Sequence, residues 1–253
     1  MDLFNLSNKV VIVTGGNRVI GFGIAKALAS AGAHVVIANR RIEEGKAAAE
    51  SITNEGFKAA AVRVDVSSVP SIYDMTAKVI KEFKKIDILV NSAGMVIRKP
   101  AEDFAEEDWD RLMGVNLKGV FYCCQAVGRE MIKRKKGKII NISSNVSARV
   151  QVNRTAYATS KAGLNHMTRS LASEWGKHGI NVNVLAPTVT ITDMNRNYFT
   201  KEHPDELQGY VEQTPMGRVA ELDDYTGTAI YLASDASNFV TGEVIFVSGG
   251  ITL

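Results

Sequence analysis

Cysteine is scarce in this chain, and residues at metal-ligand spacing are missing. The only two cysteines, Cys123 and Cys124, are neighbours in an apolar helical stretch. No disulfide framework follows from them, and a reducing compartment fits best. His34, His166, His178 and His203 are scattered without a Cys or carboxylate partner at ligand spacing, which points to core or surface histidines and to no metal. No apolar run reaches the length of a bilayer span, and the N-terminal MDLFNLSNK lacks the long apolar segment of a signal peptide. The expectation is a soluble, cytoplasmic protein with no membrane partner. An excess of one charge is missing too. The net charge is +3, the basic residues are spread along the chain, and the densest run, Lys133 to Lys136, ends a predicted helix where cations suit the negative end of the dipole. Nucleic acid is therefore not an expected partner. No internal repeat, low-complexity tract or Pro/Gly linker divides the 253 residues, so one domain over 1–253 is expected.

What is present is regular. Short β-branched runs alternate with longer amphipathic stretches, the pattern of an α/β protein whose parallel sheet is covered by helices on both faces. Strands are predicted at Lys9 to Thr14, His34 to Ala38, Lys58 to Val64, Ile86 to Asn91, Lys138 to Ile142, Asn181 to Leu185 and Glu243 to Val247. A hydrophobic content of 45% is enough to bury a substantial core between them.

The first strand runs into a glycine-rich turn, Thr14-Gly15-Gly16-Asn17-Arg18-Val19-Ile20-Gly21-Phe22-Gly23, and then into a helix. In that context backbone N–H groups and the positive end of a helix dipole can approach a phosphate. The second strand ends in Ala38-Asn39-Arg40-Arg41, without the acid that would accept hydrogen bonds from an adenosine ribose diol. Asn39 and Arg40, with Arg18 in the turn, instead suit a 2'-phosphate. NADP(H) is the preferred cofactor on this reading, with NAD(H) possible; a solvated loop arginine is the plainer account of Arg40.

Tyr157 and Lys161, in Tyr-Ala-Thr-Ser-Lys, are four residues apart and share a helix face. A cation in reach can lower a phenol's pKa from about 10 towards working range. Alone, such a pair is equally a solvated helix face.

Taken with Asp65-Val66, Asn91-Ser92-Ala93-Gly94, Asn116 in VNLKG and Ser143-Ser144, these motifs make the chain resemble the short-chain dehydrogenase/reductase family over essentially its whole length. The family's serine lies 13 residues before its tyrosine, which selects Ser144 over Ser143. The resemblance implies a single Rossmann-type domain with a seven-stranded, doubly wound parallel sheet. It implies Tyr157 as general acid/base, Ser144 on the substrate oxygen, Lys161 lowering the tyrosine pKa and holding the nicotinamide ribose, and Asn116 positioning a water. It also places Gly15, Arg18, Ile20 and Gly21 along the pyrophosphate and adenosine end, Arg40 at the 2'-phosphate, and Asp65 and Val66 beside adenine. Asn91, Ala93 and Gly94 then support the adenosine ribose, and Pro187, Val189, Thr190 and Thr192 surround the nicotinamide amide. The stretch from about Thr192 to Met216 looks like a substrate lid, whose Tyr198, Phe199 and Tyr210 either close over substrate or pack a helix pair.

Three positions depart from the family pattern. Val19 stands at the middle glycine, where a β-branched residue cannot comfortably take a positive φ; an altered backbone or a bulkier wall near the phosphates is expected. Ser92 replaces a common asparagine, and Thr188 replaces the glycine after Pro187.

Gly94-Met95-Val96-Ile97-Arg98-Lys99-Pro100 and Gly249-Gly250-Ile251-Thr252 are most similar to the family branch containing gluconate 5-dehydrogenase and 2-deoxygluconate 3-dehydrogenase. Arg98 and Arg154 are candidates to grip the carboxylate of an aldonate, with surface arginines as the alternative. The expected reaction is hydride transfer between NADP(H) and a secondary alcohol or ketone on a sugar acid or polyol. A 3-oxoacyl-[acyl-carrier-protein] reductase and a non-catalytic NADP-sensing protein are the other readings. The resemblance also implies a homotetramer or homodimer, with the helices around 106–134 and 155–177 at an interface; Phe121, Met167 and Leu171 fit that or the protein's own core.

Overall fold

The computed structural model describes residues 3–192 and 196–253. Seven parallel strands form one sheet in the order β3-β2-β1-β4-β5-β6-β7: β1 Val10–Thr14, β2 His34–Asn39, β3 Lys58–Arg63, β4 Ile88–Asn91, β5 Gly137–Ile142, β6 Ile180–Pro187 and β7 Val244–Val247. All seven predicted strands are found, with ends displaced by at most two residues. The order reverses between β1 and β4, so their neighbouring C-terminal ends form the crevice where a doubly wound sheet binds ligands.

The period-2 alternation of each strand divides the core into two layers. Val11 and Val13 of β1, Val35 and Ile37 of β2, Ile88 and Val90 of β4, and Ile140 of β5 face α1 (Val19–Ser30), α2 (Ile42–Asn54) and α8 (Thr226–Ala233). Ile12, Val36, Leu89 and Ile139 face the other way, against α3 (Val69–Phe83), α5 (Val120–Arg134) and α6 (Thr155–Trp175). Each fully buried Leu, Ile or Val contributes about 1.5–3 kcal/mol. Cys123 and Cys124 belong to the second layer; burial pushes the Cys124 thiol up to about 12, so neither is a thiolate at neutral pH. In the 133–136 run, Arg134 closes α5 and pairs with Asp87 at 2.6 Å, while Lys135 takes the left-handed C-terminal position.

Two local features shape the crevice. Between α4 (Glu106–Met113) and α5 the helix continues through a π-helical stretch, Gly114–Gly119, which contains Asn116. After β6 the chain passes through a π-helical turn at Tyr198–Glu202 into α7, Pro204–Glu212. Of the expected lid, residues 193–195 lie outside the described residues.

Val19 takes the conformation that a β-branched residue adopts least readily: it holds φ +46°, in the left-handed region. The loop is fixed at both ends, by Thr14 Oγ1 accepting from the Ser92 and Ala93 amides at 3.2 Å and by Ile24 and Leu28 anchoring α1 in the core. Left-handed backbone costs a non-glycine residue roughly 1–2 kcal/mol, and the half-buried Val19 side chain gives little packing in return. Val19→Gly is therefore expected to raise the unfolding free energy by about 0.5–1 kcal/mol in urea denaturation, after allowing for the extra freedom of glycine in the unfolded chain. A loss of stability would show that the left-handed valine is not strained.

Candidate active site

Parallel strands put every strand end on one edge, and the candidate residues gather there. At the end of β5, Ser144 lies beside Tyr157, close enough to pull the phenol's pKa down, and its Oγ donates to Asn145 Oδ1 at 3.3 Å. Ser143 is buried instead and donates to the Lys161 carbonyl at 3.3 Å, so the serine beside the phenol is Ser144. Tyr157 occupies the first turn of α6. One turn on, the fully enclosed Lys161 ammonium donates to the Ile142 carbonyl at 2.8 Å and lies 5.8 Å from the Tyr157 ring centroid. Asn116, with no exposed surface, donates to Met95 O (2.9 Å) and Ser160 Oγ (3.2 Å) and accepts from the Met95 amide at 2.9 Å. Asn116 thus binds the helix to the loop after β4 and to α6.

The electrostatics differ from the expectation that Lys161 lowers the tyrosine pKa. Burial pushes the Tyr157 phenol up; only the Ser144 bond and the Arg154 charge pull it down. Lys161 is itself desolvated, and burial lowers its pKa to about 8. The ammonium stays mostly protonated at pH 7 but faces the Ile142 carbonyl, and the pull on the phenol comes from Ser144 and Arg154.

The cofactor candidates line the crevice. Gly15, at φ +67°, lies so close to the loop after β4 that a Cβ there would stand 2.9 Å from Ala93 Cα. Gly21 packs its Cα on the Gly15 carbonyl, and Ile20 packs partly buried against the core. Asp65 accepts from Ser67 Oγ (2.6 Å) and N (3.0 Å); those bonds, with the Arg40 and Arg63 charges, hold its carboxyl below the usual range. Val66 adjoins it, half-buried. Asn91 is buried, donating to Asn141 Oδ1 at 2.9 Å, and its own Oδ1 has no partner. Asn39 is also buried, its amide on the Arg41 carbonyl and its Oδ1 against Gly45, so it shapes the loop while Arg40 points from the exposed side.

Pro187 ends β6; Val189 O accepts from the Ala220 amide at 3.1 Å, Thr190 Oγ1 meets the Tyr225 hydroxyl at 2.7 Å, and Thr192 is buried. Thr188 Oγ1 accepts from Asn145 at 3.1 Å, a bond between the β5 and β6 loops that a glycine could not make. A Cβ on Gly94 would stand at ordinary contact distance from Asn116 Oδ1 (3.5 Å) and Lys161 Nζ (3.8 Å), so the exposed Gly94 borders both groups. The spare donors of Lys161 and the first-turn N–H groups of the twelve-residue α1 fit a nicotinamide dinucleotide.

Arg154 lies near enough to Tyr157 for its charge to act on the phenol. Arg98 lies near enough to Tyr198 for its charge to act on that phenol, which donates to Glu206 at 2.9 Å. Phe199 is buried, edge-on to Tyr198 (5.1 Å between centroids) and Tyr210 (6.3 Å), so these rings pack on one another. Two residues escaped the sequence reading. Arg149 joins the β5–α6 loop to Gln213 and keeps a buried Nη1 without a partner. Glu44 gathers Asn17, Arg18 and Arg41. Arg149 sits in an irregular polar loop, and Glu44 reads as an ordinary first-turn helix acid, so neither carries a periodic signal.

Comparison with known proteins agrees with this geometry. A family profile described as enoyl-(acyl carrier protein) reductase matches residues 15–252. The chain is 38% identical over 252 residues to gluconate 5-dehydrogenase of Gluconobacter oxydans (strain 621H), covering 100% of this chain and 98% of the relative. It is 39% identical over 248 residues to 3-oxoacyl-[acyl-carrier-protein] reductase of Chlamydia muridarum (strain MoPn / Nigg), covering 97% and 98%. Among solved structures, a gluconate 5-dehydrogenase from Burkholderia cenocepacia J2315 in complex with NADP and tartrate superposes with a TM-score of 0.94 at 38% identity, covering 99% of this chain and 98% of that one.

The buried lysine gives a signed pH effect. Its folded pKa of about 8 lies below the ordinary 10.5, so the folded state carries a buried charge at neutral pH and loses that penalty as pH rises through the window between the two values. Lys161→Met is therefore expected to be more stable than the parent at pH 7, by on the order of 2 kcal/mol. The difference should shrink steadily above pH 8. Equal stabilities at pH 7 would contradict the desolvated ammonium.

Proposed function

The chain belongs to the short-chain dehydrogenase/reductase family, and on that premise we propose that it is an NADP(H)-dependent oxidoreductase acting on a secondary alcohol or ketone of a sugar acid or polyol. The observation that carries this reading is the Tyr157 phenol beside Ser144, with the Lys161 ammonium 5.8 Å from its ring centroid and the exposed Gly94 bordering Lys161 and Asn116. The gluconate 5-dehydrogenases of Gluconobacter oxydans and Burkholderia cenocepacia, matched over nearly the full chain, support the substrate class, and the NADP held by the latter supports the cofactor.

In the reductive direction Ser144 Oγ and the Tyr157 hydroxyl meet the substrate carbonyl oxygen, where negative charge develops. Tyr157 delivers the proton to that oxygen. Its raised pKa keeps the phenol protonated and ready as an acid, and a cation nearby stabilises the phenolate left behind. Lys161 offers its remaining donors to a ribose hydroxyl, and Asn116, held at Met95 and Ser160, continues the polar path towards solvent. Gly15, Arg18, Ile20 and Gly21 hold the pyrophosphate end, and Arg40 the 2'-phosphate. Asp65, Val66, Asn91, Ala93 and Gly94 border the adenosine, and Pro187, Val189, Thr190 and Thr192 the nicotinamide amide. A nicotinamide dinucleotide bound there supplies or accepts the hydride. Arg98 and Arg154, joined by Arg149, are the groups proposed to read a substrate carboxylate under the 192–216 lid.

We also propose a homo-oligomer. Met113, Leu117, Phe121, Tyr122 and Met167 line an apolar groove of about 500 Å³ across α4, α5 and α6, with Phe121 36% exposed, whereas Leu171 belongs to the protein's own core. A second copy presenting the same helices about a two-fold axis would cover it. Phe121→Arg is expected to lower the mass seen by light scattering; an unchanged mass would move the interface elsewhere.

The decisive assay follows NADPH and NADH oxidation with 5-ketogluconate, a neutral ketose and an acetoacetyl thioester. Turnover of the keto acid with NADPH is expected, reduced at least about a hundredfold in Tyr157→Phe. Preference for the thioester would identify a 3-oxoacyl-[acyl-carrier-protein] reductase, the activity of the relative from Chlamydia muridarum. Near-normal turnover in Tyr157→Phe would remove the tyrosine from proton transfer.

A further inference from the structure

The end of β2 carries no acid in sequence, yet the fold brings one there. Glu44, in the first turn of α2, reaches back to the glycine turn. Its carboxylate accepts from Arg18 Nε at 3.2 Å and from Arg18 Nη2 at 2.7 and 2.8 Å. It also accepts from Asn17 Nδ2 at 2.9 Å and pairs with Arg41 Nε at 2.6 Å. The neighbouring Glu43 marks the contrast. Glu43 complements the same helix terminus while standing 78% exposed with only Lys46 as partner, so the dipole alone does not require what Glu44 does. Two guanidinium groups and an amide converging on one carboxylate are a donor set that fits a phosphate equally well.

We propose that Glu44 is an internal competitor for the 2'-phosphate of NADP(H), and so sets the selectivity between NADPH and NADH. The inference rests on the reading of Arg18 and Arg40 as the 2'-phosphate site. To bind the phosphate, Arg18 exchanges a carboxylate partner for a phosphate one, and the released carboxylate remains a like charge nearby. NADH has no 2'-phosphate and leaves the Glu44 network intact. Arg40, which forms no ion pair among the described residues, meets the phosphate without this competition. The position thus carries the cations of an NADP site and a carboxylate that weakens them, which makes the protein tolerant of both cofactors.

The test is calorimetric titration of NADPH, NADH and 2',5'-ADP into the wild-type protein and Glu44→Gln, which keeps the size of the side chain and an acceptor for Arg18. Removing one partly exposed like charge should tighten NADPH and 2',5'-ADP by about three- to tenfold. NADH affinity should stay unchanged, and the gain should shrink with added salt. Weaker NADPH binding in Glu44→Gln would mean that Glu44 holds Arg18 ready for the phosphate, and an equal change for both dinucleotides would mean that it only shapes the loop; either overturns the proposal while leaving the phosphate site standing. Wild-type protein that binds NADH but not 2',5'-ADP would overturn the phosphate site itself.

Discussion

The enclosed ammonium of Lys161 is the group around which the crevice is arranged. A charge taken out of water costs several kcal/mol unless it is compensated, and here, among the described residues, the compensation is a single bond to Ile142, the last residue of β5. That bond is one rung of a ladder fastening α6 to the sheet edge. Asn141 donates to Thr168 at 2.9 Å, Ser143 meets the Lys161 carbonyl, and Asn165 reaches Ser147 at 2.9 Å. With four rungs the helix cannot slide or rotate against β5, so Tyr157 is carried to Ser144 by the fold and not by any attraction of its own. The hydrophobic layers on either side supply the stability that this arrangement consumes, which is the usual relation between a rigid core and a costly site.

Asn116 extends the same logic to the other side. A regular α-helix would present its side chains to α6 or to the loop after β4; the wider π-helical turn at Gly114–Gly119 lets one amide serve both, bonding the Met95 backbone twice and Ser160 once. The loop after β4 is thereby fixed against the helix that also carries Tyr157 and Lys161. Ser160 closes the circuit by donating to the Tyr157 carbonyl at 2.7 Å.

Much of this was legible in sequence because it follows local rules. The β-branched runs alternate with period 2, so all seven strands could be placed, while it took the family resemblance to single out Ser144, the serine that the fold brings near the phenol. What escaped depends on tertiary context. Steric rules read Val19 as a reason for an altered backbone or a bulkier wall, and in the fold, between anchors at Thr14 and in α1, the valine stands in the left-handed region. Charge rules read Lys161 as lowering the phenol's pKa, whereas burial pushes the phenol up and the Lys161 ammonium down. Asn39 offered an amide to a ligand in sequence and is turned under the helix in space.

The two ends of the crevice follow opposite physical designs, and this difference decides where specificity can be altered cheaply. Around Tyr157 the polar groups are enclosed, and removing any partner strands another in low dielectric. Around Arg18 and Glu44, and again at Tyr198 and Glu206 near Arg98, the partners are exposed or half-exposed ions and phenols. Such contacts are individually weak, so an arginine can leave one for a phosphate or carboxylate without a large penalty. In the segment after β6 the rings of Tyr198, Phe199 and Tyr210 pack on one another, Pro215 packs on Gly250, and Arg149 adds a polar bond to Gln213. Such a polar bond can be exchanged for one to a ligand without loss of that packing. The chemistry is thereby insulated from changes in which cofactor or acid is recognised.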